Sequence, residues 1–163
     1  KQWPIERFTE IAQQFCKIHP QAKIVLIAAP HERKIVQPLI DKVAPSQLIN
    51  LIDHNYDLGQ TAACLQQCQL FLGNDSGLMH MAAAVGIPTI GLFGPSREEN
   101  YGPYDSHLAT IGKKVNSVIR IPQTYDQLKL MPHFSHQSQD CYMTGLTVDA
   151  VWQVFNQHLE NML

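Results

Sequence analysis

The sequence has no apolar run approaching the roughly 18 residues that a membrane-spanning helix needs. It has no basic excess. Twelve Lys and Arg stand against fourteen Asp and Glu, a formal net charge of −2, which argues against nucleic acid as the main partner. Cysteine is sparse. Cys16, Cys64, Cys68 and Cys141 show no C-x-x-C spacing; Cys64 and Cys68 fall one helical turn apart and read as small buried thiols, which fits a reducing compartment. There is no G-x-S-x-G elbow, because Ser76 lies three residues after Gly73 and one before Gly77. No triad order follows from that serine and eight scattered histidines. Internal repeats and low-complexity tracts are absent. What remains is a chain of 163 residues, 45% apolar, which suits one domain. It begins at Lys1 and leads straight toward a helix, so it is expected to be a fragment of a longer protein.

The most informative stretch is 70–95. Leu70-Phe71-Leu72 is an apolar run too short for a helix and ends at Gly73-Asn74-Asp75. Leu78 to Val85 consists of good helix formers and stops at Gly86. Ile87 to Phe93 is a second apolar run, closed by Gly94-Pro95. Two buried strands joined through a helix make a βαβ crossover of a parallel sheet. Asn74, Asp75 and Ser76 all stand where the first strand hands over to the helix, and any of them suits the N-cap. The free N–H groups and dipole at that end attract anions, and Gly77 lets a ligand come close. The turn is therefore a candidate phosphate site at the carboxyl edge of a parallel sheet. A plain helix cap is the competing explanation.

Before it, Ile5, Phe8, Ile11, Ala12, Phe15 and Ile18 recur at helical spacing after Pro4, and His19-Pro20 ends that helix. Lys23 to Ala29 reads as a buried strand, Glu32 to Val43 as a helix blemished by Pro38, and Gln47 to Ile52 as a short strand. Asp53 to Asp57 reads as polar loop, and Leu58 to Gln67 as a helix with Leu58, Ala62 and Leu65 on one face. After Pro95, Ser96 to Ser106 reads as loop, Leu108 to Ile111 as a small strand and Val118 to Ile121 as an edge strand. The rest of 112–145 reads as long surface loop. Thr147 is expected to cap a last helix from Val148 to Leu159. Alternating strands and helices imply one α/β domain in three layers.

Asn74 to Ala84, followed by Gly86-Ile87-Pro88 and Leu92-Phe93-Gly94-Pro95, resembles the signature of glycosyltransferase family 9, which contains the ADP-heptose:lipopolysaccharide heptosyltransferases. Lys1-Gln2-Trp3-Pro4 resembles the K-x-W-P that opens the family's donor-binding domain. Ala29-Pro30-His31-Glu32, Tyr101-Gly102-Pro103-Tyr104 and Asp140-Cys141-Tyr142-Met143 resemble family features too, and the likeness runs through the whole chain in order. It implies a Rossmann-like domain with a parallel sheet, residues 1–163 forming the C-terminal, donor-binding half of a GT-B glycosyltransferase. The acceptor domain, with the general base, is then outside this chain, and the fragment alone is expected to be inactive.

The family is inverting and needs no metal or cofactor; the absence of a D-x-D motif agrees. Carried over by position, the resemblance places Asp75, Ser76 and Gly77 against the nucleotide-sugar donor. Ser76 keeps the hydroxyl that the family shows there as Thr or Ser. Ionised Asp75 cannot donate to phosphate and better accepts from sugar hydroxyls or ties down the turn. His80, one turn along, donates to phosphate or sugar; Lys1 offers a point charge to the diphosphate. Glu32 accepts from two ribose hydroxyls, and Tyr56 lies where the family places a contact beside the adenine. Glu32 and the 75–77 turn, both following strands of a parallel sheet, are expected to serve one donor. The implied partners are ADP-heptose or another nucleotide-diphosphate sugar and, for the full-length protein, the lipopolysaccharide core. The implied location is cytoplasmic, with peripheral association at the inner membrane left open. An epimerase of the same architecture and a binding module without catalysis are the alternatives; His80-Met81-Ala82-Ala83-Ala84 favours the transferase.

Overall fold

The computed structural model of the chain describes residues 2–96, 98–104, 116–121, 123, 125–130 and 142–162. It divides into two compact units, one of residues 4–61 and one of residues 1–3 with 62–163.

In the 4–61 unit, α1 (Ile5–Ile18) and α2 (Arg33–Lys42) pack together beside a parallel pair, β1 (Ile24–Leu26) and β2 (Leu48–Asn50). Ala12, Leu39 and Val43 form the buried centre, with Ile5, Phe8, Cys16, Ile24, Leu26 and Leu48 against it. Ile5, Phe8, Ala12 and Cys16 are positions that helical spacing puts on one side of α1. Gln47 Nε2 lies 3.2 to 3.4 Å from the carbonyls of Cys16, His19 and Ala22, supplying a donor where α1 runs out of its own. β1 is shorter than the expected 23–29 and only half-buried, because the chain turns at Ala29 into a 3-10 turn, Pro30–Glu32. α2 therefore starts at Arg33, one residue later than expected, and runs on through Pro38. β2 is likewise three residues long, and the loop after it opens with a 3-10 turn, Ile52–His54.

α3 (Leu58–Gln66) crosses from one unit to the other. Of its expected apolar face, Leu65 is buried but Leu58 is 77% exposed, so the buried side of α3 does not include Leu58.

In the other unit, β3 (Phe71–Asn74), β4 (Thr89–Phe93) and β5 (Ser117–Arg120) form a sheet in that order, all parallel. Every residue of β4 is buried, so its sequence lacks the polar alternation of a half-exposed strand; its one polar side chain, Thr89, donates its hydroxyl to Ile87 O at 3.0 Å. α4 (Gly77–Ala84) crosses from β3 to β4 and presses Met79 onto Gly91, where an added Cβ would lie 2.6 Å from the Met79 sulfur. Gly86 adopts φ 87°, the left-handed conformation that ends α4. β3 extends through Gly73 and Asn74, which the sequence had assigned to the turn. β5 is the expected edge strand, and α7 (Val148–Glu160) packs on it. The Thr147 hydroxyl accepts from Ala150 N–H at 3.2 Å, the expected N-cap of α7. Ile121, Leu128, Met143 and Val151 are buried in this unit. Where loop was expected there are two short helices, α5 (Glu98–Tyr101) and α6 (Tyr125–Lys129), and a 3-10 turn, Tyr142–Gly145. The small strand expected at 108–111 and most of the 112–145 loop, including Asp140 and Cys141, lie outside the described residues.

Candidate functional site

The turn after β3 is built by the sheet and by the start of α4. Asp75 N–H donates to Leu92 O at 3.1 Å, continuing the β3–β4 ladder one residue past the strand. Ser76 then takes the N-cap position in extended backbone, φ −157° and ψ 168°. Its side chain makes no capping bond to the first turn, so of the three residues that suited a cap, the one in position does not use its hydroxyl for it. The first amides of α4 have no intrahelical acceptor and carry the positive end of the dipole. Asp75 is half-buried, whereas Ser76, Gly77 and His80 are exposed. Ser76 and His80 stand four residues apart and share a face of the helix.

Gly77 is informative for what does not require it. Its φ is not positive, and a Cβ built there meets nothing within 4 Å. Among the described residues, neither backbone conformation nor packing demands glycine at this position. Gly73 differs: a Cβ there would meet the Phe71 ring at 2.6 Å.

Trp3 belongs to this unit and reaches the same turn. Its backbone N–H donates to Asn74 Oδ1 at 2.8 Å and its indole Nε1–H to Leu146 O at 2.9 Å, with the side chain only 2% exposed. Lys1, named from the sequence, lies outside the described residues. The Trp3–Asn74 bond carries no sequence signal, because its partners are 71 positions apart.

The remaining sequence candidates sit in the 4–61 unit. β1 and β2 are parallel, so the loops that follow them leave the same edge. Glu32 ends the 3-10 turn after β1. It is half-buried and folds back on its own loop, Oε2 accepting from Ala29 N–H at 3.0 Å while its N–H donates to Ala29 O at 2.8 Å. The Glu32 carboxylate is thus part of the turn that presents it. Tyr56, 39% exposed, lies on the loop after β2 and stacks on His54 with ring centroids 5.2 Å apart. Asn55 between them is left-handed at φ 48°, which brings the flanking rings to one side. Asn50 Oδ1 braces the loop by accepting from Ile52 N–H at 3.1 Å, and an ion pair between Arg33 and Asp53 joins the start of α2 to the loop after β2. His54, Arg33 and Asp53 were not singled out from the sequence. A surface ion pair and an aromatic stack need partners set by the fold.

Each set therefore converges on its own loops: Glu32 and Tyr56 on neighbouring loops at one edge, and Asp75, Ser76, Gly77 and His80 around one helix start. Burial pushes the Cys16 thiol up, and burial followed by the neighbouring Cys64 pushes Cys68 up. Cys16, Cys64 and Cys68 are half-buried, where the sequence suggested buried thiols at Cys64 and Cys68.

The sequence profile of glycosyltransferase family 9 (heptosyltransferase) matches residues 1–126. Lipopolysaccharide heptosyltransferase 2 of Salmonella typhimurium is 30% identical over 114 residues, which cover 68% of this chain and 32% of that protein. Among solved structures, a glycosyl transferase family 9 protein from Veillonella parvula superposes with a TM-score of 0.73 at 27% identity, over 98% of this chain and 42% of that one. The E. coli heptosyltransferase WaaC, solved with ADP, shares the fold with a TM-score of 0.68 at 23% identity, over 96% of this chain and 39% of that one. The chain spans about a third of the length of the curated relatives it matches. On its fold, its central motif and its match across residues 1–126, the chain belongs to glycosyltransferase family 9.

Proposed function

We propose that this chain is the donor-binding half of an inverting, metal-independent glycosyltransferase that moves heptose from ADP-heptose to the lipopolysaccharide core. The observation that carries this reading is the helix start at Ser76-Gly77: two exposed residues at a helix N-terminus, a hydroxyl not used as a cap, and a glycine whose added Cβ would meet no described residue within 4 Å. The heptosyltransferase name of the Salmonella relative supports this donor class, and the ADP in the structure of the E. coli neighbour agrees with it.

In this reading the amides of α4 and the Ser76 hydroxyl take the diphosphate. When an acceptor oxygen attacks the anomeric carbon, the bond from that carbon to the β-phosphate oxygen breaks and its electron pair stays with the departing ADP. Donors already aimed at that oxygen stabilise the charge as it develops, and one such donor is typically worth about 10²–10³ in rate. Lys1 adds a positive charge at the same end. Asp75 accepts from sugar hydroxyls, and His80 donates from the same helix face. Glu32 accepts from the ribose, and Tyr56 stacks on the base.

The acceptor's proton goes to a base on the acceptor domain, outside residues 1–163, so the chain alone binds donor without turning it over. The proposed setting is the cytoplasmic face of the inner membrane, where donor and lipid-linked acceptor meet. No helix among the described residues is long and apolar enough to cross a membrane.

Calorimetry with ADP tests the reading. Affinity is expected to be the same in EDTA and in excess magnesium, because protein N–H and O–H groups rather than a cation neutralise the diphosphate. A strict magnesium requirement, or no ADP binding at all, overturns it.

A further inference from the structure

Asn74 ends β3 and opens the turn. A backbone N–H can only donate, so the 2.8 Å contact from Trp3 N–H settles which end of the Asn74 carboxamide is oxygen. Trp3 is itself immobilised. Its ring is buried, and its Nε1–H is bonded to Leu146, the residue before the Thr147 cap of α7. One residue thus fastens the end of β3 to the start of α7.

The turn needs a fastening from outside itself. On one side the sheet ladder holds it only as far as Asp75 N–H. On the other, the usual side-chain cap is missing at Ser76. The Asn74–Trp3 bond is the remaining side-chain tie on the three residues 74–76 among the described residues.

We propose that Asn74 is a positioning residue for the diphosphate: by gripping the Trp3 backbone it sets the orientation of the turn that presents Ser76 and the first amides of α4. This rests on the reading that the 75–77 turn takes the diphosphate.

Linkage gives a test that simple packing does not pass. If the grip sets the turn, an anion bound at the turn must in return stabilise the grip. Amide hydrogen exchange of the wild-type chain, with and without saturating inorganic pyrophosphate, measures this at Trp3 N–H. The reference is Asn161 N–H, which is bonded to Gln157 O at the far end of α7 and opens by local fraying. Pyrophosphate is expected to slow Trp3 exchange about fivefold or more and to leave Asn161 unchanged. Asn74→Leu keeps the volume and removes the acceptor; it is expected to weaken pyrophosphate about two- to tenfold, the worth of one hydrogen bond, without loss of the cooperative melt. Pyrophosphate binding that leaves Trp3 exchange unchanged, or an Asn74→Leu protein that binds as wild type, overturns the inference and leaves the site reading standing. If the variant does not fold, the wild-type exchange measurement decides alone. No pyrophosphate binding by the wild type removes the site and the inference together.

Discussion

Ser117 on β5 and His158 on α7 share a 2.9 Å hydrogen bond between Oγ and Nε2, a side-chain link between the last helix and the edge strand it covers. Burial lowers the His158 pKa from its ordinary 6.5. The folded state then holds fewer protons than the unfolded state between the two pKa values, and stability rises with pH across that window. The His158 contribution is complete above about pH 6.5 and is lost as pH falls toward the folded value. Denaturant melts at pH 7.5 and pH 5.5 should show the wild type losing more stability on acidification than His158→Asn. Equal losses in the two proteins would remove His158 as the cause.

Glu32 carries two roles that one substitution confounds. Its Oε2 closes the Ala29–Glu32 turn, and its carboxylate is the proposed ribose acceptor. Glu32→Gln keeps an oxygen for Ala29 N–H and removes the charge, whereas Glu32→Ala removes both. Charged hydrogen bonds are worth about 1.5–3 kcal/mol, or roughly ten- to a hundredfold in affinity. Calorimetry should show Glu32→Ala weakening ADP by that factor and pyrophosphate less than about twofold, since only ADP has a ribose. Glu32→Gln should melt as wild type and fall between the two for ADP. An unchanged ADP affinity in a folded Glu32→Ala protein would take the ribose role from Glu32.

Gly77→Val separates a ligand role from a structural one. A Cβ there meets nothing within 4 Å among the described residues, and the backbone is not left-handed. The melting temperature should therefore stay within a few degrees of wild type. Binding of ADP and of pyrophosphate should both fall, by about tenfold or more, because the branched side chain blocks approach to the α4 amides. Wild-type affinity in this variant would show that nothing docks at the bare backbone.

The sequence by itself determined the α/β class, the βαβ crossover of 70–95 and the family. These rest on local and near-local physics. Apolar runs of strand length alternate with helical periodicity, Gly86 must supply a left-handed φ, and Thr147 caps α7 through a bond to Ala150 three residues away. The edge strand at Ser117–Arg120 was legible for the same reason. Loop-flanked ends were less so: β1 stops at Leu26 because Ala29 and Glu32 close a 3-10 turn, and short helices such as Glu98–Tyr101 are too brief to show a period. Only the tertiary structure decided what the candidate residues touch. Asn74 looked like a cap and instead grips Trp3. Ser76 occupies the cap position without using its hydroxyl. Among the described residues nothing packs where a Gly77 side chain would lie, whereas at Gly73 and Gly91 an added Cβ would meet a neighbouring side chain. Hydrogen bonds and close contacts between residues tens of positions apart leave no periodic trace along a chain. They exist only once the sheet ladder has brought those residues within a few ångströms of each other.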